Sequence, residues 1–276
     1  MRYGQLFSQY EKQLEELGEE GQALSYVFKE LKNWTQTDFV LHLGKEVSQE
    51  DRSLIDDIFK QLSEHIPAQY ITKRAYFCDL SLAVDSRVLI PRPETEELVD
   101  LILQENSRAD LSVLDIGTGS GAIALSLAKA QHSWQVTATD ISEDALELAR
   151  YNAQRNDLAI EFRQSDVYEA ISEKFDIIVS NPPYIAFSDH DEVGINVLAS
   201  EPHLALFADE DGFAIYRRIL QDANSHLNSK GKLYFEIGYK QADGIRQLSK
   251  IYMPKSSVRI LKDMWGKDRM VVISND

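Results

Sequence analysis

The sequence predicts an α/β protein: a doubly wound parallel sheet of seven strands, the last antiparallel, preceded by a small helical domain joined through a β-hairpin. Three observations carry that prediction. Apolar residues keep helical spacing from Tyr3 to Ile66, switch to a period of two between Tyr76 and Ile90, and then alternate buried strands with amphipathic helices. Two of the later strands end abruptly in polar tips. Val113-Leu114-Asp115-Ile116 runs into Gly117-Thr118-Gly119-Ser120-Gly121, and Phe175-Asp176-Ile177-Ile178-Val179-Ser180 runs into Asn181-Pro182-Pro183-Tyr184. Open α/β sheets bind ligands beyond the carboxyl ends of their central strands, so function is sought at these tips.

In the first segment, Leu6, Tyr10, Leu14 and Leu17, then Leu24, Val27, Phe28 and Leu31, then Leu54, Ile55, Ile58, Phe59, Leu62 and Ile66 mark several short amphipathic helices. Thr35 with Asp38 and Ser48 with Asp51 read as helix starts, and Pro67 closes the set. Residues 1–72 are therefore taken as a helical domain. It carries seven lysines and arginines against thirteen acids, which suits contact with a protein partner or a bracing role. Residues 73–92 are read as a β-hairpin linker, with Phe77, Leu80, Leu82 and Val84 on one arm, Val88 and Ile90 on the other, and Asp85-Ser86-Arg87 as the turn. Residues 93–276 form the main domain, entered through Pro91-Arg92-Pro93-Glu94-Thr95-Glu96, where prolines and acids favour a helix start.

Inside the main domain, the glycines after Ile116 allow close approach of a ligand to backbone, and the helix from Ala122 to Ala130 aims its amides at the same place. With Ala122 the loop also satisfies a dinucleotide fingerprint, which keeps a nicotinamide-dependent oxidoreductase in play. A second strand, Gln135 to Thr139, ends in Asp140, placed to accept from ribose hydroxyls; Ser142 caps the next helix. A third, Ile160 to Arg163, is followed by Ser165-Asp166, where an acid can accept from an adenine amino group. Either acid alone could be a solvated turn residue, the lesser reading for each, and together they outline an adenosine site. Strands at Leu233 to Ile237, Val258 to Leu261 and Met270 to Ile273 complete the sheet, and the short link Trp265-Gly266-Lys267-Asp268 makes the last pair antiparallel.

The second tip has its own chemistry. Neither proline carries an N–H, so the turn presents carbonyl oxygens, and the Asn181 carboxamide adds a second acceptor. Two converging acceptors suit a planar NH2 group, and Tyr184 offers a flat face beside it. Asn-Pro alone is an ordinary turn signal; Asn-Pro-Pro-Tyr after a buried strand, downstream of a glycine loop, is far more specific.

Composition narrows the classes. The chain has 276 residues and a formal net charge of −16, which argues against a protein that binds nucleic acid by covering phosphates. A single cysteine, Cys78, leaves no intramolecular disulfide or cysteine zinc site. No signal peptide is legible at the start, and no segment approaches the roughly 18 apolar residues of a membrane span. A cytoplasmic protein is expected. Asp189-His190-Asp191-Glu192 has a metal-like composition but lies in a polar stretch and is read as solvated loop.

With Asp115-Ile116-Gly117-Thr118-Gly119-Ser120-Gly121, Asp140 and Asn181-Pro182-Pro183-Tyr184 in hand, the chain resembles the class I, Rossmann-like methyltransferases that use S-adenosylmethionine. The Asn-Pro-Pro-Tyr tip is similar across enzymes that methylate adenine N6, guanine N2 or a glutamine amide. Further segments narrow the resemblance: Pro67-Ala68-Gln69-Tyr70-Ile71, Val88-Leu89-Ile90-Pro91-Arg92-Pro93-Glu94-Thr95-Glu96, Glu201-Pro202, Ala205-Leu206, Asp211-Gly212, Tyr216-Arg217 and Phe235-Glu236-Ile237-Gly238 are similar, in order, to the peptide chain release factor glutamine methyltransferases. The chain departs from that family at Lys73 and Asp79, where glycine is usual, and at Val167, where an aromatic is frequent.

The resemblance implies methyl transfer from S-adenosylmethionine to the amide nitrogen of the glutamine in the Gly-Gly-Gln motif of class I release factors, with residues 1–72 serving recognition. It implies that Gly117, Thr118, Gly119, Ser120 and Gly121 line the methionine part of the cofactor, that Asp140 holds the ribose, and that Asp166 and Val167 flank the adenine. Asn181, also beside the cofactor, and the carbonyl of Pro182 would hold the substrate amide, with Pro183 also binding the substrate and Tyr184 packed against it. No metal, membrane or direct nucleic-acid partner is implied. The competing readings are an amino-group methyltransferase acting on DNA or RNA, a nicotinamide enzyme, and a non-catalytic module of the same fold.

Overall fold

The computed structural model describes residues 1–275. The chain divides into two compact units, Met1–Arg74 with Val193–Glu201, and Ala75–Glu192 with the chain from Pro202 onward.

The first unit is helical: Tyr3–Glu16, Ala23–Lys32, Gln36–His42, Gln49–Ser63 and Ala68–Thr72. Local chemistry starts two of these helices. The Thr35 hydroxyl accepts from the Asp38 N–H at 3.1 Å, while the Asp38 carboxylate accepts from the Thr35 N–H at 2.9 Å, a reciprocal cap. The Ser48 hydroxyl accepts from the Asp51 N–H at 3.0 Å. The apolar stripes then meet in one core of Leu6, Phe7, Leu14, Leu24, Val27, Phe28, Ile55, Ile58 and Leu62. Each such side chain contributes about 1.5–3 kcal/mol when fully buried. Burial of Asp51 beside this core pushes its carboxyl up, but hydrogen bonds from Lys32, at 2.7 Å, and from the Tyr3 hydroxyl outweigh burial and hold it below the ordinary range.

The sequence reading puts all of 93–276 in the main domain, yet Val193–Glu201 clusters with the helical unit. Its helix, Ile195–Ser200, is tied there by the Ser200 hydroxyl, which donates to the His65 carbonyl at 3.1 Å.

The second unit opens with β1 (Ala75–Phe77) and β2 (Leu80–Leu82), antiparallel with Phe77 opposite Leu80. The turn is therefore Cys78-Asp79, and the expected turn at Asp85-Ser86-Arg87 is corrected. Cys78 and Asp79 both have left-handed backbone, φ 44° and 59°, as the tightest hairpin turns require. Asp85 instead closes a local loop, accepting from the Arg87 N–H at 3.1 Å and its guanidinium at 2.7 Å. Burial pushes the Cys78 thiol up to about 11, so it stays neutral.

The main sheet contains β3 (Ser112–Ile116), β4 (Gln135–Asp140), β5 (Glu161–Gln164), β6 (Phe175–Ser180), β7 (Leu227–Glu236), β8 (Ser257–Lys262) and β9 (Asp268–Ser274), in the order β5-β4-β3-β6-β7-β9-β8. β3 to β7 are parallel, and β9 is antiparallel to both of its neighbours, as expected. Helices Pro93–Glu105, Ala122–Ala130 and Glu143–Arg155 contribute to the core on one face. Ala214–His226 and Ala242–Tyr252 cover the other.

Register is what assembles the site. Ile116 of β3 lies opposite Thr139 of β4 and opposite Ser180 of β6. Gly117 and Asn181, just past β3 and β6, and Asp140, the last residue of β4, therefore lie on one level. The Ser180 hydroxyl locks this edge by donating to the Ile116 carbonyl at 2.7 Å.

Candidate active site

A cavity of about 340 Å³ opens at those strand ends, within the range of ligand pockets. Gly117, Thr118, Gly119, Ser120, Asp140, Asp166, Val167, Asn181, Pro182 and Pro183 all line it; Gly121 and Tyr184 do not.

The glycine loop is bare where it faces the cavity. Gly117 and Gly119 have φ of 74° and 55°, and a Cβ built on either would meet no atom within 4 Å. Gly121 differs: its Cβ would lie 3.0 Å from Leu125 Cδ1 and 3.4 Å from the Ala149 methyl, so its place is in helix packing. Under the loop, buried Asp115 accepts from the Thr118 hydroxyl at 2.7 Å, while its other oxygen has no partner. Burial pushes this carboxyl up to about 7.

Asp140 is fixed from two sides, accepting from the Gly119 N–H and the Ser142 N–H, each at 2.9 Å. Burial raises its pKa further than these backbone donors lower it. Asp166 pairs with Arg218 at 2.8 Å, a cavity-lining cation that the sequence reading passed over. Val167 follows in left-handed backbone, φ 55°, with its side chain buried.

Asn181 is anchored from behind. Its Nδ2 donates to the Thr95 hydroxyl at 3.3 Å, and that hydroxyl donates to Glu236 Oε2 at 2.5 Å. Thr95 and Glu236 are both buried. Burial pushes the Glu236 carboxyl up to about 7, with Thr95, Arg269 and the Asn181 side chain opposing. Thr95 and Glu236 fall inside motifs that carry the family resemblance, but nothing local marks them as partners: they are 141 residues apart.

Tyr184 is not among the residues lining the cavity and packs against the core on the helix Ala214–His226 face. Its carbonyl accepts from Gln241 Nε2 at 3.0 Å. Burial raises its phenol.

Asp189-His190-Asp191-Glu192 lies in a 3-10 turn, Phe187–Glu192, where His190 stacks on Phe207 and Glu192 pairs with Lys240 at 2.7 Å. Among the described residues no group of three or more His, Cys, Asp or Glu is arranged to hold a metal ion, and no helix is long and apolar enough to cross a membrane.

Comparison with known proteins bears on this geometry. Residues 93–206 match a family described as the methyltransferase small domain, and residues 5–72 match one described as the PrmC N-terminal domain. The release factor glutamine methyltransferase of Streptococcus pneumoniae is 56% identical over 276 residues, covering 100% of this chain and 99% of that protein. The protein of the same name from Lactococcus lactis is 47% identical over 250 residues, covering 91% of this chain and 93% of the relative. Among solved structures, a methyltransferase from Pyrococcus furiosus superposes with a TM-score of 0.55 at 23% identity, covering 71% of this chain and 89% of that one. This last likeness concerns the fold.

Proposed function

This chain belongs to the release factor glutamine methyltransferase family, and we propose that its cavity binds S-adenosylmethionine and methylates the side-chain amide nitrogen of a release factor glutamine, the one in the Gly-Gly-Gln motif. The observation that carries the reading is the common level of Gly117, Asp140 and Asn181 at the carboxyl ends of β3, β4 and β6. It sets a bare glycine cradle beside an acceptor-rich tip in one cavity.

The residues present fit such a cofactor. The space over Gly117 and Gly119, which any side chain there would enter, leaves backbone open to the methionine part. Asp140, held rigidly by two backbone amides, is an acceptor for ribose hydroxyls. Asp166 and Val167 border the adenine end, Asp166 with its charge offset by Arg218. When bound, S-adenosylmethionine supplies an electrophilic methyl group on a sulfonium sulfur.

The protein's own part is positioning and electrostatics. An amide nitrogen is a poor nucleophile because its lone pair is delocalised, so it must be held in line within about 3 to 3.5 Å of the methyl carbon. Asn181 Oδ1 and the Pro182 carbonyl accept from the two amide hydrogens, fix the plane of the group and stabilise positive charge growing on nitrogen. Transfer would leave S-adenosylhomocysteine as the second product, and the proton lost from the nitrogen would pass to solvent water, since Asn181 and the Pro182 carbonyl are acceptors and not bases. Tyr184, set back against the core, supports the turn through its backbone.

The test is transfer of labelled methyl to purified release factor. Label that vanishes when the loop glutamine is replaced bears out the proposal; label appearing only on DNA or rRNA in parallel reactions would overturn it.

A further inference from the structure

Behind Asn181 the polarity of a buried hydrogen-bond chain can be worked out atom by atom. An ionised carboxylate only accepts, so Glu236 Oε2 takes the single hydroxyl proton of Thr95 at 2.5 Å. The Thr95 oxygen then faces Asn181 with a lone pair, and only the NH2 end of the Asn181 carboxamide can satisfy it, as the 3.3 Å contact from Nδ2 records. We infer that Thr95 and Glu236 are positioning residues that hold the Asn181 amide nitrogen inward and thereby present its Oδ1 to the cavity. This rests on the reading above, in which that oxygen accepts from the substrate amide.

The chain has a second state with opposite polarity. A protonated Glu236 donates to Thr95, Thr95 then donates to Asn181 Oδ1, and the carboxamide turns its NH2 toward the cavity. A donor facing the substrate NH2 holds nothing, so the ionised form is the competent one. Glu236 is faced by Thr95 and the Asn181 side chain, both hydrogen-bonding toward its carboxylate, and by Arg269 from β9, all of which favour its charge, and by Glu94 from helix Pro93–Glu105, which opposes it. The Tyr184 phenol lies near it, and the Tyr216 hydroxyl, from helix Ala214–His226, donates to its backbone carbonyl at 2.7 Å. Both tyrosines are raised by burial and remain neutral, which leaves Glu236 as the group able to reverse the chain. Burial sets its titration at about 7.

Nuclear magnetic resonance of the full-length protein labelled with nitrogen-15 reads this without any substrate. The Asn181 side-chain NH2 signals, assigned by their loss in Asn181→Asp, are expected to shift with a midpoint near 7 in the parent and to stop shifting in Glu236→Gln. The kinetic counterpart is a fall in kcat on the acid side that Glu236→Gln removes. Thr95→Val should lower kcat about tenfold or more with S-adenosylhomocysteine affinity unchanged, and Thr95→Ser should restore it. A purely structural role would instead shift melting temperature and cofactor affinity and leave the acid limb in place. Titration of the Asn181 signals that persists in Glu236→Gln, or full kcat in Thr95→Val, would overturn the inference. Should the parent enzyme fail to methylate release factor, the proposed substrate falls while the resonance titration still judges the relay.

Discussion

Replacing Asn181 by alanine removes one of the two acceptors proposed to grip the substrate amide while leaving the glycine cradle untouched. Turnover is expected to fall about 10²-fold or more with cofactor affinity held; calorimetry with S-adenosylhomocysteine beside single-turnover kinetics checks both halves. Asp140→Ala should do the reverse first, weakening cofactor binding, because its carboxylate orders the Gly119 amide as well as facing the cavity. Normal cofactor affinity in that variant would refute the ribose assignment. The sequence singles out Asp140 and Asn181 because one closes a strand and the other follows one, and a strand end is a local signal. Their supports carry no such signal. Thr95 reaches Asn181 across 86 residues, and Arg218, on helix Ala214–His226, meets Asp166 only once that helix has packed on the sheet.

Helix caps and buried strands were legible for the same reason, since Thr35, Ser48 and Ser142 act on backbone three residues away. The hairpin was misread because its turn contains no glycine, although both turn residues are left-handed. Lys73, at the end of helix Ala68–Thr72, is another such position, with φ 53°. Both Lys73 and Asp79 stand where the resemblance described above implies glycine. Lys73→Gly should therefore stabilise the helical unit by about 0.5 to 1 kcal/mol, after allowing for the freer unfolded chain; a melting temperature at or below the parent's would contradict this. Gly212 makes the opposite case. It has φ 83°, and a Cβ there would sit 2.1 Å from the Tyr184 carbonyl oxygen. Gly212→Ala should cost about 3 kcal/mol or more, seen as a lowered denaturant midpoint.

For the molecule as a whole, two carboxyls buried in the second unit bear on pH dependence. Asp115 and Glu236 are each raised to about 7 from ordinary values of 3.8 and 4.5. Between those limits the folded protein keeps protons that the unfolded chain has released, so stability is greatest at the acid end and declines as pH rises through about 7. Thermal unfolding is expected at a higher temperature near about pH 6 than near about pH 8, with a shallower decline in Glu236→Gln. Self-repulsion of a chain carrying −16 acts in the same direction, so the variant's slope, not the parent's, is decisive. The path of the backbone between units has a different kind of consequence. Met1–Arg74 is completed by Val193–Glu201, which lies in the sequence between Glu192 and Pro202 of the other unit. A fragment ending at Arg74 would therefore lack part of its own unit, the helix Ile195–Ser200 whose Ser200 hydroxyl donates to the His65 carbonyl at 3.1 Å.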